Sequence, residues 1–162
     1  VEILYWLIAN VSKGGNLLLN VGPDGTGTIP EQAVANLKAA GEWLKVNGAA
    51  IYGSRPWRID NEGPTNLHMG GTEHRKKAKI SFDFKSDDFW FTQKEDKVYV
   101  MALARPENNT VVVQSLKGES IKAIQVLGQS DVVNWEQIDA GLLITLPTLK
   151  NEGIGYALEV QL

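Results

Sequence analysis

Apolar residues at Ile3, Leu4, Leu7, Ile8 and Val11 recur at helical spacing, so residues 1–13 predict a helix with one buried face. No capping side chain precedes it. The pair Gly14-Gly15 ends it, because glycine supplies the left-handed backbone that helix C-termini commonly use. The pattern then changes. Leu17, Leu18 and Leu19 are consecutive instead of alternating, which predicts a strand over 16–21 buried on both faces, as in a parallel sheet. Asn20 and the turn Val21-Gly22-Pro23-Asp24-Gly25 leave that strand at its C-terminal end, where α/β folds bind ligands. Thr28-Ile29-Pro30-Glu31 fits a capping box that opens a second helix. Val34, Leu37, Gly41, Leu44 and Gly48 carry this helix forward, with Gly48 as its expected C-cap. Residues 1–48 therefore read helix–strand–helix, with one strand that has no partner of its own.

Residues 49–57 carry two large aromatics, Tyr52 and Trp57, and the polar, glycine-bearing stretch 58–79 predicts a linker. Beyond it the period drops to two. Short strands are predicted at 88–93, 97–104, 110–115, 123–127, 134–138, 142–146 and 156–162, divided by turn clusters such as Pro106-Glu107-Asn108-Asn109. Strands at this spacing point to an antiparallel sandwich. Phe89-Trp90-Phe91 interrupts the alternation, so one of the three is expected to face outward. The fold class is an α/β fragment followed by an all-β antiparallel sandwich, divided as 1–57, 58–79 and 80–162.

Composition narrows the function classes. The 162 residues carry a net charge of −3, which gives no sign of a nucleic-acid partner. Cysteine is absent, so there is no disulfide framework and no thiolate metal site. No apolar run approaches the roughly 20 residues of a membrane span. The N-terminus has neither the basic region nor the cleavage site of a signal peptide, and it starts in mid-pattern, so the expectation is a piece of a longer protein. His68 and His74 lie apart in a polar loop without a carboxylate partner and do not predict a metal site. Asn10-Val11-Ser12 and Asn108-Asn109-Thr110 match glycosylation sequons. The first is expected on a buried helix end and the second in a turn.

Several motifs occur together in one order. Val11-Ser-Lys-Gly-Gly-Asn-Leu-Leu-Leu-Asn-Val-Gly-Pro23 is followed by Asp24-Gly25, Gly27-Thr-Ile-Pro30, Gly41-Glu-Trp-Leu-Lys-Val-Asn-Gly48 and Ile51-Tyr-Gly-Ser-Arg-Pro-Trp57. This series resembles the α-L-fucosidases of glycoside hydrolase family 29. Phe91–Val100 and Val111–Val113 resemble that family's C-terminal domain. The chain departs from the family pattern at Leu7-Ile-Ala-Asn10 and in the Asp24–Gly27 loop. The resemblance implies that residues 1–57 end a (β/α)8-like catalytic barrel, as its last βα unit, and that a β-sandwich packs against it. It also implies retaining exo-hydrolysis of terminal α-linked L-fucose from glycans, with no metal and no cofactor.

Retaining glycosidases need two carboxyl groups about 5–5.5 Å apart. The resemblance places both, with the residues that hold the sugar, upstream of residue 1, so no catalytic residue is expected in this chain. Glu2, Glu31 and Glu42 have structural readings as helix residues. Asn20, Asp24 and Trp57 are the candidates for substrate binding or pocket support. Asp24 also reads as a turn residue, Asn20 as a tie between strand and backbone, and Trp43, Tyr52 and Trp57 as glue between barrel and sandwich. An exposed Trp90 could touch glycan, but the favoured reading is that it covers the barrel. The expected partners are a fucosylated glycan and the missing catalytic barrel, in cis or as a separate chain, with a homo-oligomer possible and no nucleic acid or membrane. The implied location is extracytoplasmic: periplasmic, secreted or lysosomal. The alternative function is a glycan- or partner-binding sandwich module without catalysis.

Overall fold

The computed structural model describes residues 1–65, 82–150 and 153–162. Helix α1 spans Glu2–Val11 and buries Leu4, Tyr5, Ile8 and Ala9, the stripe its periodicity predicts shifted by one residue. Gly14 adopts φ +78° and the Gly15 amide donates to the Asn10 carbonyl, so the expected left-handed helix exit is present. Helix α2 spans Glu31–Asn47 and buries Ala40, Trp43 and Asn47. A short 3₁₀ turn, Gly48–Ala50, follows directly.

Eight strands follow among the described residues: β1 (Arg55–Glu62), β2 (Phe89–Lys94), β3 (Lys97–Ala102), β4 (Thr110–Val113), β5 (Ala123–Val126), β6 (Asn134–Ile138), β7 (Gly141–Thr145) and β8 (Tyr156–Gln161). They make a five-stranded sheet, β1-β2-β3-β8-β5, and a three-stranded sheet, β4-β7-β6, with every pair antiparallel. Phe91, Val100, Leu158 and Val126 lie in one cross-strand row of the larger sheet. Their side chains meet Val111, Val113, Leu142 and Ile144 of the smaller sheet in the sandwich core. Burying each such side chain stabilises by roughly 1.5–3 kcal/mol.

The larger sheet is covered on its second face as well. Trp90, Tyr99, Met101 and Ala157 point away from the sandwich and pack with Leu4, Tyr5 and Ile8 of α1 and Trp43 of α2. Tyr5 stacks on Phe84 at 5.1 Å and meets Trp90 edge-on at 5.8 Å. Thr92, fully buried on this face, donates its hydroxyl to the Ala50 carbonyl at 2.7 Å. The molecule is therefore three layers deep: helices, large sheet, small sheet. A sheet buried on both faces loses the apolar–polar alternation along its strands. That is why Phe89, Trp90 and Phe91 are all buried, and none of them faces outward as the alternation had led one to expect.

Four further expectations change. Residues 16–21 form no ladder; Leu18 is 96% exposed and Leu19 42%. A strand needs at least one neighbour to hydrogen-bond with, and the strands that follow it here are committed to antiparallel pairs in the sandwich. The Thr28 capping box does not form, because Pro30 is the N-cap and α2 has no side-chain cap. Gly48 is right-handed, at φ −60°, because the chain runs straight on into the 3₁₀ turn. Its lack of a side chain serves packing instead: a Cβ there would lie 2.8 Å from the Tyr52 ring. Finally, Arg55–Glu62 is strand β1, paired to β2 with a register irregularity between Pro56 and Asn61, where junction and linker had been expected. His68, His74 and the rest of 66–81 lie outside the described residues.

Candidate functional site

The loop between α1 and α2 carries two of the three candidate residues. Leaving the Gly14-Gly15 exit, the chain runs through exposed positions to Asn20, whose side chain makes no hydrogen bond with the described residues. It then closes a turn on Asp24. Asp24 Oδ1 accepts from the Thr26 amide at 2.8 Å, the Thr26 hydroxyl at 2.6 Å and the Thr28 amide at 3.0 Å. The backbone reinforces this turn, with the Asp24 amide donating to the Thr28 carbonyl and the Gly27 amide to the Asp24 carbonyl. Aspartate forms such turns because its short carboxylate reaches amides two residues on.

These donors hold the Asp24 carboxyl below the usual carboxylate range, the Thr26 hydroxyl being the largest cause. A general acid of a glycosidase needs the opposite shift. Asp24 is thus chemically an anionic turn anchor. Two of the other carboxylates are engaged: Glu42 pairs with Lys45 at 2.6 Å, and Glu2 accepts from the Trp6 indole at 3.3 Å. Glu31 is exposed at the start of α2. No group of three or more histidine, cysteine or carboxylate side chains able to hold a metal occurs among the described residues.

Trp57 sits apart from this loop in its packing. On β1 it lies half-buried against the sandwich core, its ring 5.2 Å from Phe91, with the Arg58 guanidinium 4.2 Å above it. Arg58 is held in turn by Glu119 and the Ser115 carbonyl. Glu62, at the far end of β1, accepts from the amides of Gln114 and Ser115, both at 2.8 Å. These polar pairs fasten β1 to the segment 114–119 that follows β4, while Trp57 packs on the sandwich core. Trp43 is buried among the helices and the large sheet, whereas Tyr52 is 62% exposed. Ser12 of the first sequon is fully buried, and Asn108 of the second is exposed in its turn.

Comparisons with known proteins agree along the chain. A family model described as α-L-fucosidase matches residues 1–49, and one described as α-L-fucosidase C-terminal domain matches residues 82–161. The tissue α-L-fucosidase of Rattus norvegicus is 38% identical over 149 residues, covering 91% of this chain and 28% of that protein. The plasma α-L-fucosidase of Homo sapiens is 32% identical over 152 residues, with the same two shares. The crystal structure of Thermotoga maritima α-fucosidase superposes with a TM-score of 0.76 at 30% identity, covering 98% of this chain and 33% of that one. The chain spans less than a third of the length of the curated relatives named here. It belongs to the α-L-fucosidase family and carries that family's C-terminal domain.

Proposed function

We propose that this chain is the C-terminal portion of a retaining exo-α-L-fucosidase that removes terminal α-linked L-fucose from glycans. The helical segment 1–50 completes a catalytic barrel, and strand β1 with the strands from β2 onward forms the sandwich that braces it. The observation that carries the reading is the pair of family matches in chain order, with 38% identity to a relative named for this activity. The exposed Leu18 and Leu19 support it, since side chains of that kind are buried when a barrel strand has its neighbours. The carboxylate pair that retaining hydrolysis requires is supplied from outside these 162 residues. Asn20 and Asp24, at the mouth of the completed barrel, support the pocket, and Trp57 braces the sandwich beside it. The names tissue and plasma carried by the relatives support a lysosomal or secreted location. Among the described residues no helix is long and apolar enough to cross a membrane.

The test is hydrolysis of an aryl α-L-fucoside, followed by NMR for the anomer first released. The complete protein is expected to release α-L-fucose, and the 162 residues alone to release none. Activity in the 162 residues alone overturns the placement of the carboxylates and makes Asp24 the first residue to replace. A complete protein that binds glycan without cleaving it returns the chain to a binding module.

A further inference from the structure

Residues 16–21 form no ladder, helix or turn, yet their exposure alternates along the chain. Leu17 and Val21 are half-buried and Leu19 is 42% exposed, whereas Leu18 is 96% exposed and Asn16 and Asn20 are open as well. Extended backbone turns successive side chains to opposite sides. Leu17, Leu19 and Val21 therefore share the side that this chain covers, and Asn16, Leu18 and Asn20 share the side it leaves bare.

In a closed barrel the helices lie outside, and each strand alternates between outward-facing and inward-facing residues. Helices α1 and α2, which flank the segment in sequence, are this chain's share of the outer ring. The side that the chain covers is thus the outer one, and the bare side is the interior. Along that interior line Asn16 stands at the strand's entrance and Leu18 in its middle. Asn20 comes roughly 6.6 Å further on, at the end where barrel enzymes hold their substrates.

A leucine in a barrel layer is ordinary core, but an asparagine one layer above it is not. The Asn20 amide offers two N–H donors and a carbonyl acceptor, and none of them is used among the described residues. Asp24 has no such freedom, because its carboxylate is spent on Thr26 and Thr28, and Trp57 packs on the sandwich core. Buried polar groups in native proteins are hydrogen-bonded, so an inward amide at this end requires a polar partner in the pocket. The amide is neutral and both donates and accepts, which matches a hydroxyl.

We propose that Asn20 contacts the substrate, its side-chain amide hydrogen-bonding a ring hydroxyl of the terminal L-fucose. The assignment rests on the fucosidase reading above and adds to it a side chain of this chain that touches the sugar.

The experiment is a cycle on the complete protein. The parent, Asn20→Ala and Asn16→Ala are assayed with an aryl α-L-fucoside and with the same fucoside lacking one ring hydroxyl at a time. Asn20→Ala is expected to lower kcat/KM roughly 10–100-fold, the effect of losing one buried hydrogen bond. One deoxy substrate is expected to lose nothing further from the replacement, which identifies the hydroxyl. Asn16→Ala, at the other end of the same face, is expected to leave kcat/KM unchanged. If the alanine protein does not fold, Asn20→Ser carries the same cycle. Full kcat/KM in the Asn20 variant overturns the contact, and so does an equal loss on every substrate, which marks a structural role. An equal loss with a shifted pH profile places Asn20 against a catalytic carboxylate and likewise overturns the sugar contact. L-fucose binding, read by calorimetry, separates the contact from the activity. Hydrolysis by the parent with an unaffected Asn20 variant removes the contact and leaves the enzyme. A parent that binds fucose without hydrolysing the fucoside removes the activity, and weaker binding in Asn20→Ala still supports the contact. A parent that neither binds nor cleaves overturns both.

Discussion

Thr92 joins the helical layer to the sandwich by a single buried hydrogen bond, which makes it a clean place to weigh the contact. The Thr92→Val replacement keeps the β-branched shape but removes the donor that reaches the Ala50 carbonyl at 2.7 Å. Ala50 is fully buried, so its carbonyl would be left without a partner or water. Leaving such a group unsatisfied costs about 1–3 kcal/mol. The added methyl returns roughly 0.8 kcal/mol of apolar burial, which leaves a net loss of about 0.2–2 kcal/mol. With a urea dependence of ~2 kcal/mol per molar, the unfolding midpoint should fall by about 0.1–1 M at unchanged slope. Urea titration followed by tryptophan fluorescence reads this directly, because Trp43 and Trp90 lie in the layer that Thr92 anchors. A Thr92→Val midpoint equal to or above the parent's would refute the reasoning.

Leu18→Asp should change the stability of the 162 residues by no more than about 0.5 kcal/mol, because the side chain is almost wholly exposed. In the complete protein the same replacement should cost more than about 3 kcal/mol and abolish hydrolysis, by burying an unpaired charge; equal tolerance in both would sink the barrel assignment. Asp24, held ionised by Thr26 and Thr28, contributes stability that is present above its unfolded value near ~3.9 and is lost as pH falls through its lower folded value. The Thr26 and Thr28 amide signals should therefore titrate together below that point, and a midpoint at or above ~4 contradicts the turn. Tyr99 is pushed up to about 12 by burial first and then by its hydrogen bond to Glu159. Its contribution to stability is complete below the unfolded value near ~10 and declines between there and 12, so tyrosinate absorbance should show one group delayed to about that pH.

The sandwich was legible because its strands alternate and its turns are marked by glycine, asparagine and charge; 134–138 was placed to the residue. Strand β1 was not, since Arg55-Pro56 at its start and the charged Arg58, Asp60 and Glu62 read as linker. Proline is tolerated there because β1 is an edge strand that pairs on one side only. Phe89–Phe91 was legible only in part: Trp90 covers the helical layer, as its favoured reading had it, whereas the expectation that one of the three faces outward failed because a doubly covered strand and a broken alternation look alike. At the candidate site, Asp24 was recognisable as a turn residue from Pro-Asp-Gly, but the threonines that satisfy it were not.

The doubly buried sheet also bears on how this architecture can spread by recombination. A sandwich with one solvated face can be cut at a linker and fused to a new host. Here Trp90, Tyr99 and Met101 form the seat of α1 and α2, so a gene break between the helices and β2 would strip a hydrophobic face bare. The inherited unit is therefore the helices and sandwich together. A host that took the sandwich alone would have to provide its own apolar cover for Trp90, Tyr99 and Met101.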